Sequence, residues 1–192
     1  NHDNDDVFNS DIIITNIEPN NEIMQEVNTF LEQWNDASAF ISQKTSGSTG
    51  KPKIITIEKS KMLESAKMTN DFLKLKENDK ALLCISPNYI GGKMMIVRAI
   101  ERKLNLHVTN VSGNPLLNNK ITFDFSAMVP YQVEKILAAA PEKLNQIKKL
   151  IIGGAQISDK TAKKLSDFPT EIYSTFGMTE TISHIALKNI SK

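Results

Sequence analysis

Between residues 45 and 53 the chain reads Thr45-Ser46-Gly47-Ser48-Thr49-Gly50-Lys51-Pro52-Lys53, which gathers hydroxyls, glycines and two cations into one short run. Glycine lets a backbone turn sharply and bring its N–H groups close to an anion. Ser and Thr hydroxyls add donors, and Lys51 and Lys53 add charge, so the run suits a polyphosphate. It is not a phosphate loop of the G-x-x-x-x-G-K-[ST] type, because Thr45 stands where that pattern has its first glycine and Pro52 where it has Ser or Thr. Pro52 lacks the N–H that would continue a helix, which excludes the kinases and NTPases built on that loop. A flexible Ser/Gly linker is the plainer alternative; the fixed lysines and the apolar segments on either side argue against it.

Two further runs carry chemistry. Tyr173-Ser174-Thr175-Phe176-Gly177-Met178-Thr179-Glu180-Thr181 follows a strand-like stretch. Phe176 offers a ring face to a base, Gly177 a close turn, Thr179 a donor to a phosphate oxygen, and Glu180 an oxygen ligand for Mg²⁺. A strand ending in a polar turn accounts for it equally well when it is taken alone. Gly153-Gly154-Ala155 ends another strand with two residues that let something flat lie against the backbone. A plain strand-to-helix turn fits it as well, so order and spacing of the three runs together carry the weight.

The elements that must position these runs alternate in type. Apolar residues at Ile23, Met24, Val27, Phe30, Leu31 and Trp34 predict a helix over 22–34, with Trp34 as its core anchor. Residues 39–43 and 53–57 read as short strands flanking the hydroxyl-rich run, and 60–75 as a helix. Next come a strand at 80–85, a helix at 92–102, and strands at 104–109 and 121–125. Pro130 opens a helix reaching about Ala139, followed by a short helix at 141–147, a strand at 150–152 and a helix at 159–165 capped by Ser158. Strands at 171–174 and 182–187 close the series. Such alternation predicts an α/β fold, a mainly parallel sheet with helices on both faces, whose ligands gather outside the carboxyl ends of the strands.

The net charge of +1 comes with both signs mixed along the chain, so neither a nucleic-acid surface nor a polybasic membrane patch is indicated. No run is long enough to span a bilayer as a helix. The single cysteine, Cys84, sits in the apolar run Ala81–Ile85 and reads as a buried small residue rather than a nucleophile. A lone thiol fits a reducing, cytoplasmic setting, and three scattered histidines make no Cys/His metal site. The chain starts without methionine and opens with the polar stretch 1–6. It is expected to be a piece of something longer.

Together, Thr45–Lys53, Gly153-Gly154-Ala155 and Phe176-Gly177-Met178-Thr179-Glu180, with Val129-Pro130 ahead of the glycine pair, resemble the signature segments of the adenylate-forming enzymes, among them the acyl-CoA synthetases. The likeness covers about residues 38–187. It implies that 1–192 is a partial N-terminal AMP-binding domain, with 1–37 as leader and helix and 38–187 as the core, lacking the mobile C-terminal domain that carries a catalytic lysine. It implies a two-step reaction: a carboxylate attacks the α-phosphate of ATP, releasing pyrophosphate and giving an acyl-adenylate, and the thiol of coenzyme A then displaces AMP to form the thioester. It gives Ser46–Lys51, with Thr45 at their start, to the β- and γ-phosphates and Thr179 to the α-phosphate. Glu180 goes to Mg²⁺, and Gly153, Gly154, Ala155, Thr175, Phe176 and Gly177 to the nucleotide, Phe176 standing where the family commonly has Tyr. Lys51, Thr179 and Glu180 are the residues expected to carry the catalytic step.

Within that family the stretch 175–188 is similar to the o-succinylbenzoate–CoA ligases of menaquinone synthesis, whose acid is an aromatic dicarboxylate. The second carboxylate needs a cation or several donors. Pro87-Asn88-Tyr89-Ile90-Gly91-Gly92-Lys93 occupies the place of the family's acyl-pocket phrase, one residue shorter and without its histidine. Lys93 at a helix start would meet the free carboxylate, with Gly92 beside it and Tyr89 on the ring; a surface lysine is the alternative. Ser183 and His184 would approach the acyl end, unless His184 is simply a strand residue, and Arg98 is expected to face solvent. The partners implied are a small carboxylic acid, ATP and coenzyme A, with homodimerisation left open. The chain alone is expected to bind nucleotide weakly and turn over poorly; the alternatives are an acyl- or aryl-CoA synthetase for another acid, or a non-catalytic nucleotide-binding fragment.

Overall fold

A computed structural model describes residues 12–17, 19–44, 53–176 and 186–190. β1 (Ile13–Asn16) is followed by α1 (Asn21–Asn35), whose N-cap Asn20 accepts a hydrogen bond from the Ile23 N–H. β2 (Phe40–Lys44) and β3 (Ile54–Glu58) flank the hydroxyl-rich run, and α2 (Lys59–Phe72) leads to β4 (Lys80–Leu83). Next come α3 (Ile90–Arg102), β5 (Asn105–Val108), β6 (Phe123–Met128) and α4 (Pro130–Ala139). A 3₁₀ turn (Pro141–Gln146) precedes β7 (Ile147–Ile152), α5 (Asp159–Leu165), β8 (Glu171–Phe176) and β9 (Ala186–Asn189).

Seven strands form one sheet in the order β1-β5-β4-β6-β7-β8-β9, parallel throughout except that β9 runs antiparallel to β8. Side chains alternate across it. Ala81, Leu83, Leu106, Val108, Phe125, Ala127 and Ile151 face one core, completed by Ile23, Val27, Phe30 and Trp34 of α1, Met62 and Ala66 of α2, and Met94, Met95 and Val97 of α3. Leu82, Cys84, Met128, Leu150, Ile152 and Ile172 face the other, which Val133 and Ile136 of α4, Leu144 and Leu165 close. Both faces are therefore covered by helices, as the near-continuous apolar strands require.

Three local expectations give way. Residues 13–16, taken as leader, form an edge strand docked on β5, with Thr15 Oγ1 donating to Asn105 Oδ1 at 2.9 Å. The strands around the hydroxyl-rich run do not join the main sheet; they pair antiparallel with each other, Lys44 opposite Ile54. Arg98 does not face solvent. It is 3% exposed on α3, and burial pulls its guanidinium down to about 10.

Candidate functional site

The parallel strands release the chain at a common edge. β4 runs on into residues 84–89, β6 into Val129, β7 into Gly153–Ser158, and β8 ends at Phe176. β4 and β6 are neighbours, yet the chain between them travels away to β5 and back. Where strand order reverses like this, a crevice opens outside the carboxyl ends. Gln132 fastens its walls: from the first turn of α4 its Nε2 donates to the Cys84 carbonyl at 2.9 Å and the Ser112 carbonyl at 3.0 Å, and its Oε1 accepts from the Val129 N–H at 3.2 Å. The sequence reading passed over Gln132. Its signal was a glutamine three residues after the cap of a proline-opened helix, where an amide reaches back to the cap N–H.

Two of the expected nucleotide segments meet at this edge. The Gly153 N–H donates to the Met128 carbonyl at 3.0 Å, and a Cβ on Gly153 would lie 2.4 Å from Thr175 Oγ1. No side chain fits between the ends of β7 and β8. Gly154 holds φ +87°, a conformation costly to any residue with a Cβ, and Val129 stands just beyond it. Gly153, Gly154, exposed Ala155, Thr175 and the end of β8 at Phe176 thus form one contiguous ledge.

On the opposite wall the β4–α3 connection is pinned from α1. Glu26 accepts from Ser86 Oγ at 2.5 Å and from Asn88 Nδ2 at 2.7 Å, and the Asn88 N–H donates to Ser86 Oγ at 3.1 Å. Gly92 lets α3 begin against this loop, since a Cβ there would lie 2.2 Å from the Ser86 carbonyl oxygen. Tyr89 is 62% exposed just before α3. Lys93 is no surface lysine. It is 7% exposed, its Nζ donates to the Ser42 carbonyl at 3.2 Å and stands 5.8 Å from the centre of the Phe30 ring, and burial lowers its pKa.

Thr45, Ser46, Gly47, Ser48, Thr49, Gly50 and Lys51 lie outside the described residues, as do Gly177, Thr179, Glu180, Ser183 and His184. Their flanks are described. Lys44 opposite Ile54 sets both ends of the first segment together, and Gln43 Nε2, donating to the Asn88 carbonyl at 3.0 Å, brings that end beside the β4–α3 connection. Phe176 opposite Ala186 does the same for the second segment, at the carboxyl end of β8. Among the described residues no group of three or more His, Cys, Asp and Glu gathers. Cys84 is buried, and burial pushes its thiol up to about 12, so it supplies no nucleophile. No helix of the described residues is long and apolar enough to cross a membrane.

The profile of the family described as "AMP-binding enzyme" matches residues 14–192. Relatives include the 2-succinylbenzoate–CoA ligase of Staphylococcus epidermidis, 27% identical over 142 residues, covering 72% of this chain and 30% of that protein. The ligase of the same name from Haemophilus influenzae is 24% identical over 168 residues, covering 86% of this chain and 36% of that protein. Among solved structures, an acyl-CoA synthetase (AMP-forming)/AMP-acid ligase II-like protein from Dyadobacter fermentans superposes with a TM-score of 0.84 at 37% identity, over 91% of this chain and 51% of that one. The O-succinylbenzoate coenzyme A synthetase of Bacillus subtilis, in complex with ATP and magnesium ion, gives 0.69 at 21% identity, over 78% of this chain and 32% of that one, a likeness of fold. The chain spans about a third of the length of the curated relatives it matches.

Proposed function

The chain belongs to the AMP-binding enzyme family, and from that premise we propose that it carries the nucleotide- and acid-binding part of an ATP-dependent acid–CoA ligase whose acid is o-succinylbenzoate, on the route to menaquinone. The observation that carries this reading is the convergence at one edge of the sheet. The glycine ledge at 153–155, the end of β8, the β4–α3 connection and the end of the β2–β3 pair all stand there. The specific acid is supported by the names of the curated relatives and by a buried cation, Lys93, on the acyl side.

In this reading residues 45–51 hold the β- and γ-phosphates, and Thr179 the α-phosphate. The ledge at 153–155 with Thr175 and Phe176 receives the adenine. Glu180 would hold Mg²⁺, which when bound would supply neutralisation of the phosphate charge. The chain's own task is alignment: it would bring carboxylate and α-phosphate together in the crevice, which is where adenylation gains most of its rate. Lys93, with N–H groups beyond the one given to Ser42, meets the second carboxylate, and Tyr89 and Gly92 border the ring. Ser183 and His184 are assigned to the acyl end. Coenzyme A then accepts the acyl group in a step for which the remainder of a full-length ligase is needed.

Calorimetric titration of this chain with a non-hydrolysable o-succinylbenzoyl-adenylate analogue, beside the benzoyl-adenylate analogue, tests the reading. Preference for the dicarboxylate is the expected result. Equal binding would keep the adenylate-forming class and remove the named acid. Binding of neither would overturn the reading for this chain.

A further inference from the structure

β2 leaves its hairpin through Ser42, Gln43 and Lys44, and the backbone there is held from the side. The Ser42 carbonyl takes the Lys93 ammonium, and the Gln43 side chain, 2% exposed, donates from Nε2 to the Lys44 carbonyl at 2.7 Å and to the Asn88 carbonyl at 3.0 Å. A carboxamide donates only through its nitrogen, so two carbonyl acceptors fix which way the amide points. That orientation leaves Oε1 buried without a hydrogen-bond partner. An apolar side chain of the same volume would fill this place without such a cost. Packing therefore does not explain a glutamine here; its two donated bonds do.

Those bonds continue outward. Asn88, whose carbonyl Gln43 holds, is itself held by Glu26 of α1, which also takes Ser86. We infer that Gln43 is a positioning residue tying the outgoing end of β2 to the β4–α3 connection, so that the segments bearing the candidate phosphate and acid groups keep one register. What those segments bind rests on the reading above; the tie itself does not. Two binding segments held this way are coupled, and the coupling is reciprocal: nucleotide favours acid as much as acid favours nucleotide.

The test is a double-mutant cycle read by hydrogen exchange of the unliganded chain. Gln43→Met keeps the volume and removes both donors. It is expected to speed exchange at the Lys44, Ile54, Asn88 and Tyr89 amides by about three- to tenfold, the scale of one ordinary hydrogen bond. Leu150 and Ile172, on the far core, serve as the reference. Glu26→Ala removes groups only from the 86–88 connection, yet it too should speed Lys44 and Ile54, and it should add nothing in the Gln43→Met background. Unchanged Lys44 and Ile54 in Glu26→Ala, or additive effects, would overturn the tie. Should the reference amides accelerate as well, Glu26→Gln replaces Glu26→Ala and the same two outcomes decide. A ligand readout accompanies it: the ratio of o-succinylbenzoate affinities with and without ATP should fall toward one in Gln43→Met, with each single-ligand affinity changed less than the ratio. A ratio unchanged by Gln43→Met would also overturn the tie. Absence of ATP binding by the unsubstituted chain would overturn the functional reading and leave the exchange cycle to judge the tie alone.

Discussion

Lys93 sits where stability and binding pull in opposite directions. Burial disfavours its ammonium, so its pKa in the fold lies below the ordinary lysine value. Between the two values the unfolded chain binds more protons, and stability therefore rises with pH across that alkaline window. Lys93→Met should remove the rise and should leave the fold no weaker below it, measured by urea unfolding at several pH values. The same substitution should weaken the dicarboxylate adenylate analogue by about thirtyfold, the roughly 2 kcal/mol typical of truncating a buried charge partner. In the unsubstituted chain that affinity should fall as pH rises through the window. His107 gives the acid counterpart. Both its ring nitrogens are buried without hydrogen-bond partners, and burial with the nearby Lys80 lowers its pKa. It protonates less readily in the fold than in the unfolded chain, so stability should drop as pH falls below about 6.5. His107→Leu should flatten that limb of the thermal midpoint against pH.

At the level of elements, adjacent glycines at the start of α3 separate two roles. A Cβ at Gly91 meets nothing nearer than Ile85 Cδ1 at 4.0 Å, whereas one at Gly92 strikes the Ser86 carbonyl. Gly91→Ala should be neutral or stabilising by up to about 1 kcal/mol, and Gly92→Ala should cost about 1–3 kcal/mol. Denaturant midpoints of the two variants check the contrast. The start of α3 also shows what sequence pattern carries and what it omits. The helix was legible because Met94, Met95 and Val97 are apolar, and Ser158 was legible as the cap of α5, where it accepts the Thr161 N–H. Lys93 and Arg98 were not legible as buried, since charge predicts exposure and only tertiary packing over α3 reverses it. β1 was missed because its apolar run is short and lies next to the polar opening stretch, and its partner Asn105 lies 90 residues on from Thr15. The three signature runs were recognisable by residue type. That ligand-binding segments gather at one edge was expected from strand order, and there Gly153 meets Thr175 near the end of β8. Gln43, which fastens that edge, looks like any surface glutamine in sequence, and Gln132 carried only its helix-start signal.

As a whole the molecule is a sheet between two separate cores, one under α1, α2 and α3 and one under α4 and α5. Ile23 and Leu165 lie on opposite sides and share no cluster. Ile23→Ala and Leu165→Ala should each cost about 2–5 kcal/mol and add to within about 0.5 kcal/mol, with one unfolding transition in each variant. Circular dichroism and tryptophan fluorescence at Trp34 should then report coincident curves; a separate early transition by fluorescence would show that the α1 side unfolds alone.

β1 is made before the strand it docks on. During synthesis at about 5–20 residues per second, the 90 residues between Thr15 and Asn105 take on the order of five to twenty seconds to appear. Through that interval Ile13 and Ile14 have no β5 to pair with, and the edge they will close does not yet exist. β1 is thus the late arrival in its own sheet, and the growing polypeptide must keep this apolar, strand-prone segment from finding another partner until its place is built.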